Sequence, residues 1–286
     1  MRYRALLIFV VAGALLAGCG PAFTYNHLDR LIPWYVDGYV DLTRDQKQIL
    51  RGQLEPLLQW HREEELAGYI GLLNRVESDL EGAVTAGDVR GWVDDITAAV
   101  QRTERSMLHL ALEFGDTLDD AQMTEFVASL NARQRDYEEE FLGRDEAEYR
   151  EDSYDSLVDA LERFLGRLQP DQKQRLRRAV AGLDRFDSVW LEDRAQWLEQ
   201  LAPLLRRPAG WQRAVEEAYL MRPERRSASY VRCLEHNLGL ILPAVADVLN
   251  QRTPAQRKRT EDELDALRGK LRKLAGAAGI AAAPVD

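Results

Sequence analysis

The spacing of apolar residues constrains this chain more than any other feature. From residue 42 onward Leu, Ala, Val and aromatic side chains recur every three or four positions, and the Val-Ile-Thr alternation of strands is almost absent. A chain patterned in this way buries one stripe of each helix. The pattern predicts an all-α fold, a bundle of long antiparallel helices, about eight in number, over residues 42–275. Helices are expected near 43–80, 89–114, 120–148, 152–166, 170–205, 209–221, 228–250 and 254–275. Pro33 should start a short helix ahead of them, Pro56 should bend the first long helix, and Asp88 should cap the second. The Ala/Gly-rich end, residues 276–286, has little to bury and is expected to be disordered.

Several of these helices open in the same way. Leu42-Thr43-Arg44-Asp45-Gln46, Leu118-Asp119-Asp120-Ala121-Gln122, Leu168-Gln169-Pro170-Asp171-Gln172 and Thr253-Pro254-Ala255-Gln256 each place Gln three residues after the candidate cap. This is capping-box chemistry, in which two side chains satisfy backbone groups that the first helical turn leaves open. The first and third starts share Asp-Gln-Lys-Gln, with Leu50 and Leu176 in step behind, so the two helices are expected to pack as pseudo-repeats. Leu-Thr-x-x-Gln before a long amphipathic helix also resembles the motif of the Spy and CpxP chaperones. That resemblance implies an all-helical, ATP-independent periplasmic protein; Leu42–Gln46 alone matches in full.

The N-terminus carries Arg2 and Arg4, an apolar run from Ala5 to Leu16, and then Leu16-Ala17-Gly18-Cys19. A basic start, a short apolar core and small residues before a cleavage point make a secretory signal. The run of 12 residues reaches roughly 18 Å as a helix, short of the ~30 Å hydrocarbon core of a bilayer. The Cys after Leu-Ala-Gly resembles the bacterial lipoprotein signal. The resemblance implies removal of residues 1–18, a covalent lipid on Cys19, and membrane attachment through that lipid. Gly20 in the sorting position implies the outer membrane, periplasmic face. Residues 19–41 then form the anchor and an aromatic lead-in bearing Phe23, Tyr25, Trp34, Tyr35 and Tyr39; Tyr25, Trp34, Tyr35 and Tyr39 are expected to pack into the body, contact with the membrane surface or a partner being the alternative.

A mature chain starting at Cys19 carries 36 Lys and Arg against 48 Asp and Glu, a net charge of −12. Such a surface disfavours nucleic acid and charge-driven binding to anionic headgroups. Cys233 has no intramolecular partner once Cys19 is acylated, so it is read as a small buried hydrophobe. No cofactor beyond the lipid on Cys19 is expected.

On the first long helix, taken as straight, Leu50, Leu54, Leu57, Leu58, Leu72 and Val76 share one face, and His61 and Glu65 fall in its middle, one turn apart. Charged groups enter such a face when they are paired. The expected partner of Glu65 is Arg62 or Arg194, the latter lying within the apolar stripe Leu183, Phe186, Trp190, Trp197, Leu201 and Leu204. His61, Glu65, Arg62, Arg194, Trp60, Trp34 and Tyr35 thus form the candidate buried polar cluster or binding site. The remaining histidines show no zinc spacing, and phosphate-loop, nucleophile-elbow and zinc-protease motifs are absent from the sequence.

Tyr25-Asn26-His27-Leu28-Asp29-Arg30-Leu31-Ile32-Pro33-Trp34-Tyr35, followed by Leu42-Thr43, Gln46, Trp60-His61-Arg62 and Glu65-Leu66, resembles a family of proteobacterial lipoproteins defined as a domain of unknown function. The resemblance implies a fold and a location, not an activity. Three functions fit: a non-enzymatic scaffold binding a protein or envelope component, a tethered Spy-like chaperone, or an envelope hydrolase built on His61 and Glu65.

Overall fold

Many helix starts in this chain are set by side chains that complete the first turn. In a computed structural model, which describes residues 21–276, the elements are all helical. Two short helices, α1 (Pro21–Asn26) and α2 (Leu28–Asp37), lead in. A long rod follows: α3 (Arg44–Trp60) runs through a single π turn, His61–Glu65, into α4 (Leu66–Glu81). Then come α5 (Ala86–Gly115), α6 (Asp120–Leu142), α7 (Glu146–Leu165) and α8 (Pro170–Val180). The chain continues through α9 (Phe186–Leu204), α10 (Trp211–Leu220), α11 (Ala228–Asn250) and α12 (Pro254–Gly276). Counting the rod once, the described residues form eleven helices rather than about eight. The signal segment, Cys19 and the tail beyond Gly276 lie outside the described residues.

Of the extra helices, α1 and α2 lie in the lead-in and one arises where an expected helix is two. The predicted 170–205 helix stops after Val180 and restarts at Phe186; Leu183, expected on its stripe, lies buried in the turn. The predicted 120–148 and 152–166 helices meet instead at Gly143, because Asp145 caps a new start at Glu146. Thr85, not Asp88, caps α5, and Asp88 answers from the third helical position. Pro33 sits buried inside α2 rather than at its start, and Pro56 lies inside α3 without breaking it.

The pairing of these starts is more than local capping. Gln46 accepts from the Thr43 amide and donates to the carbonyl of Thr117 at 2.9 Å, while Gln122 accepts from the Asp119 amide and donates to the carbonyl of Asp41 at 2.7 Å. Their two amides also bond each other reciprocally at 2.8 Å. The same clasp joins α8 to α12. Gln172 and Gln256 bond each other at 3.1 and 3.0 Å, and Gln256 reaches the carbonyl of Arg167 at 3.1 Å. Gln172 reaches those of Val248 and Gln251. Four helix starts therefore close in two pairs, each Gln using both its acceptor and its donor.

Two larger cores lie beside these clasps. One packs Val40, Leu42, Leu50 and Leu54 against Leu112, Phe114, Leu118, Met123, Trp211 and Val215. The other gathers Val84 and Val89 with Tyr149, Tyr154, Val158, Leu165, Leu168, Leu176 and the α11 residues Leu242–Leu249. Helix α5, 30 residues and so roughly 45 Å long, reaches both. Gly115 lets α10 approach closely, because a β-carbon there would meet the Trp211 ring at 2.8 Å. A third, smaller cluster joins Tyr25 of α1 and Leu66 of α4 to Leu271 and Leu274 of α12. No described helix is long and apolar enough to cross a membrane.

Candidate functional site

The π turn places the polar cluster. The Leu66 amide bonds the His61 carbonyl, five residues back, so the rod gains one residue over α-helical register. Glu65 and Leu66, adjacent in sequence, are both buried as a result, at 3% and 0% exposure. Beyond the turn the inward face moves by one position. Tyr69, Ile70 and Leu73 pack into the third cluster where straight periodicity had selected Leu72, and Glu77, in place of Val76, meets Arg268 of α12.

His61 is held from two elements. The Tyr25 hydroxyl lies 2.8 Å from Nδ1 and the Tyr69 hydroxyl 3.2 Å from Nε2. In a neutral imidazole one nitrogen is a donor and the other an acceptor, so the two phenols take opposite roles. Burial holds the His61 pKa below its ordinary value of 6.5, with Arg62 acting in the same direction and Glu65 opposing. Burial also raises the Tyr25 and Tyr69 hydroxyls, which stay protonated. The Trp60 ring meets His61 edge-on at 6.3 Å, and the Arg62 guanidinium stands 5.5 Å from the centre of the Tyr25 ring.

Glu65 finds its counter-charge on neither expected residue. Arg102 of α5 binds it with both arms of the guanidinium, Nε to Oε1 at 2.7 Å and Nη2 to Oε2 at 2.9 Å. The π turn rotates Glu65 toward α5, and a bidentate fork suits a carboxylate with little other access to water. Arg194 instead serves α6: it donates to Gln134 and stands 5.0 Å from the Tyr137 ring centre. Arg222 lies over the Trp197 ring, at 4.9 Å.

The lead-in aromatics divide. Tyr25 is buried and Tyr39 packs against Phe126 under the Arg133 guanidinium, 3.9 Å from its ring centre. Trp34 and Tyr35, expected to pack inward, are 73% and 55% exposed, because the inner face of α2 is filled by Ile32, Pro33 and Val36. Of the seven candidates, His61, Glu65, Arg62 and Trp60 come together, while Arg194, Trp34 and Tyr35 do not join them. Tyr25, Tyr69 and Arg102 complete the cluster. Tyr69 carried a signal, lying one turn beyond Glu65; Arg102 carried none, since nothing in a sequence orders one charged helix face against another.

As a chemical object the cluster is closed. Both ring nitrogens of His61 and both oxygens of Glu65 are engaged by protein groups, so a substrate would have to displace a buried phenol or the Arg102 fork. Among the described residues no group of three or more His, Cys, Asp or Glu side chains is placed to hold a metal ion. Cys233 is buried with a raised thiol pKa, as a small hydrophobe would be.

The arrangement defines an all-helical protein with a sealed polar knot beneath its N-terminal arm. A family model described as "Family of unknown function (DUF6279)" matches residues 38–229, and the chain belongs to that family. No curated protein and no solved structure matches the chain.

Proposed function

We propose that this is a lipid-anchored envelope protein, held by Cys19 to the periplasmic face of the outer membrane, whose helical body binds a protein or envelope component without catalysis. The observation that carries the reading is the seat of Tyr25. Six residues beyond the acylation position, the chain is already inserted between α4 and α12 and bonded to His61. An anchor built into the body in this way holds it close to the bilayer, as a docking scaffold requires. The sealed state of His61 and Glu65 favours a structural role for them over hydrolysis. We read the helices as one bundle with antiparallel neighbours, supported by the packing of α7 on α8 and of α9 on α10.

The test has two parts. Cys19→Ser should move the protein from the membrane fraction to the soluble or precursor fraction; unchanged fractionation would remove the anchor from the reading. In-cell crosslinking of the lipidated protein should then yield one dominant stoichiometric partner. A broad spread of envelope proteins would point to a tethered chaperone instead, and no protein partner at all would return attention to a small-molecule or enzymatic role.

A further inference from the structure

We infer that the outer face of α2, formed by Leu31, Trp34 and Tyr35, lies on the lipid bilayer and sets the orientation of the body relative to the membrane. The inference rests on the lipid anchor proposed above. It is motivated by the exposure of this stripe, on which the Tyr35 ring meets Tyr39 edge-on and its hydroxyl lies 2.8 Å from the Tyr39 hydroxyl. Leu31, Trp34 and Tyr35 are 38%, 73% and 55% exposed, and they lie at helical spacing on one stripe. The opposite face of the same helix is spent on the core through Ile32, Pro33 and Val36.

Three observations select a bilayer as the occupant. The first is reach. Cys19-Gly20 separates the acyl-bearing position from Pro21, the first residue of α1, and Trp34 follows 13 residues later. At about 1.5 Å per helical residue, this face stays within roughly 30 Å of chain from the anchor. The second is direction. Tyr25 is buried against His61 on the body side and α2 packs on α3, so the lead-in helices are fastened with their outer stripe turned away from the body. The third is chemistry. In a mature chain of net charge −12, this stripe contains no carboxylate: Asp29 lies off it beside Arg30, and Asp37 is turned to Lys47 at 2.7 Å. Trp and Tyr favour the headgroup level, where the ring is half in hydrocarbon and its polar edge is wet. An uncharged aromatic stripe suits a zwitterionic surface and does not depend on anionic lipid.

The experiment uses the lipidated protein in vesicles of zwitterionic phosphatidylcholine, with and without bromine on the acyl chains, and reads tryptophan emission. Of six tryptophans, Trp34 alone is expected to contact lipid, so brominated chains should quench a component that Trp34→Phe lacks, cutting the quenching by half or more. Tyr35→Glu, which gives up the exposed contact with the Tyr39 hydroxyl and whose melting temperature is read alongside, should reduce quenching of Trp34 at least twofold by placing a carboxylate at the interface. Equal quenching in the parent and Trp34→Phe, or none in protein that floats with the vesicles, would overturn the inference while leaving the anchor standing. Protein shown by mass to carry no acyl group on Cys19 would overturn the anchor, and this inference with it. A Trp34 signal shielded without bromine quenching, in protein that sediments as a dimer, would place a second copy on this face and overturn it as well.

Discussion

Two neighbouring residues, His61 and Glu65, meet opposite solutions to burial. Glu65 is bound by both arms of the Arg102 guanidinium, and His61 is held toward its neutral form by burial between two phenols. The consequence for acid stability has a definite sign. A histidine whose folded pKa lies below its unfolded value near 6.5 takes up a proton more readily when unfolded, so its contribution is complete above that pH and is lost as the pH falls below it. The groups facing it are Tyr25, Tyr69, Arg62 and Glu65, and Glu65 limits the shift without reversing it. Melting temperature should therefore drop on acidification from pH 7 to 5.5 more steeply in the parent than in His61→Gln; parallel slopes would show that His61 does not carry the effect. For Glu65, Arg102→Ala leaves a buried carboxylate without its counter-charge and should lower stability by about 1–3 kcal/mol in urea unfolding. Adding Glu65→Gln should restore part of that loss, and a double variant no more stable than the single one would mean that the fork contributes little.

At the scale of elements, the Gln clasps show what capping alone does not require. Six helices open with a capping box, and the third position is an acid in two of them, Asp88 and Glu148, which answer only their own caps. In the other four it is Gln, and those four are the ones that pair. A carboxylate would accept from the cap equally well but has no proton to donate across to the neighbouring helix. Gln172→Glu therefore separates the two roles. If capping were the whole function, stability would be unchanged; the clasp predicts a loss of about 1–3 kcal/mol, because the carbonyls of Val248 and Gln251 lose a donor and an acid is buried at 1% exposure. Glu148→Gln, on an unclasped helix, is the control and should be near neutral. The helix starts were legible in the sequence because capping is local. Their pairing was written there too, in the choice of Gln over Glu, but only contact across 76 and 84 residues gives that choice its meaning. The π turn was hidden for a different reason. A one-residue shift of register leaves apolar spacing intact when leucines stand at both 72 and 73, so periodicity read Leu72 and Val76 where the rod turns Leu73 and Glu77 toward α12.

For the whole molecule, composition and periodicity were enough for the all-helical class, because a chain with almost no strand-like alternation has few other ways to bury its leucines. They did not yield the helix count. The break at residues 181–185 interrupts a stretch whose apolar spacing continues across it, so periodicity alone reads α8 and α9 as one element, and it places the α6–α7 boundary near 148–152 rather than at Gly143. Nor did they yield Arg102, since charged faces are interchangeable until the helices are docked. The overall charge bears most directly on attachment. With residues 1–18 removed, as proposed, the net charge would be −12, which repels an anionic membrane, so the proposed attachment cannot rest on electrostatics. Added salt screens repulsion as well as attraction, and at 1 M the Debye length is about 3 Å. If attachment rests on acyl chains and the aromatic stripe of α2, washing membranes with 1 M salt should leave the protein in the pellet, and a non-ionic detergent should release it. Immunoblotting of the two fractions reads the outcome. Release by salt alone would show that a charged partner, rather than lipid, retains the protein, and would move its site of attachment from the N-terminal arm to the charged faces of the helices.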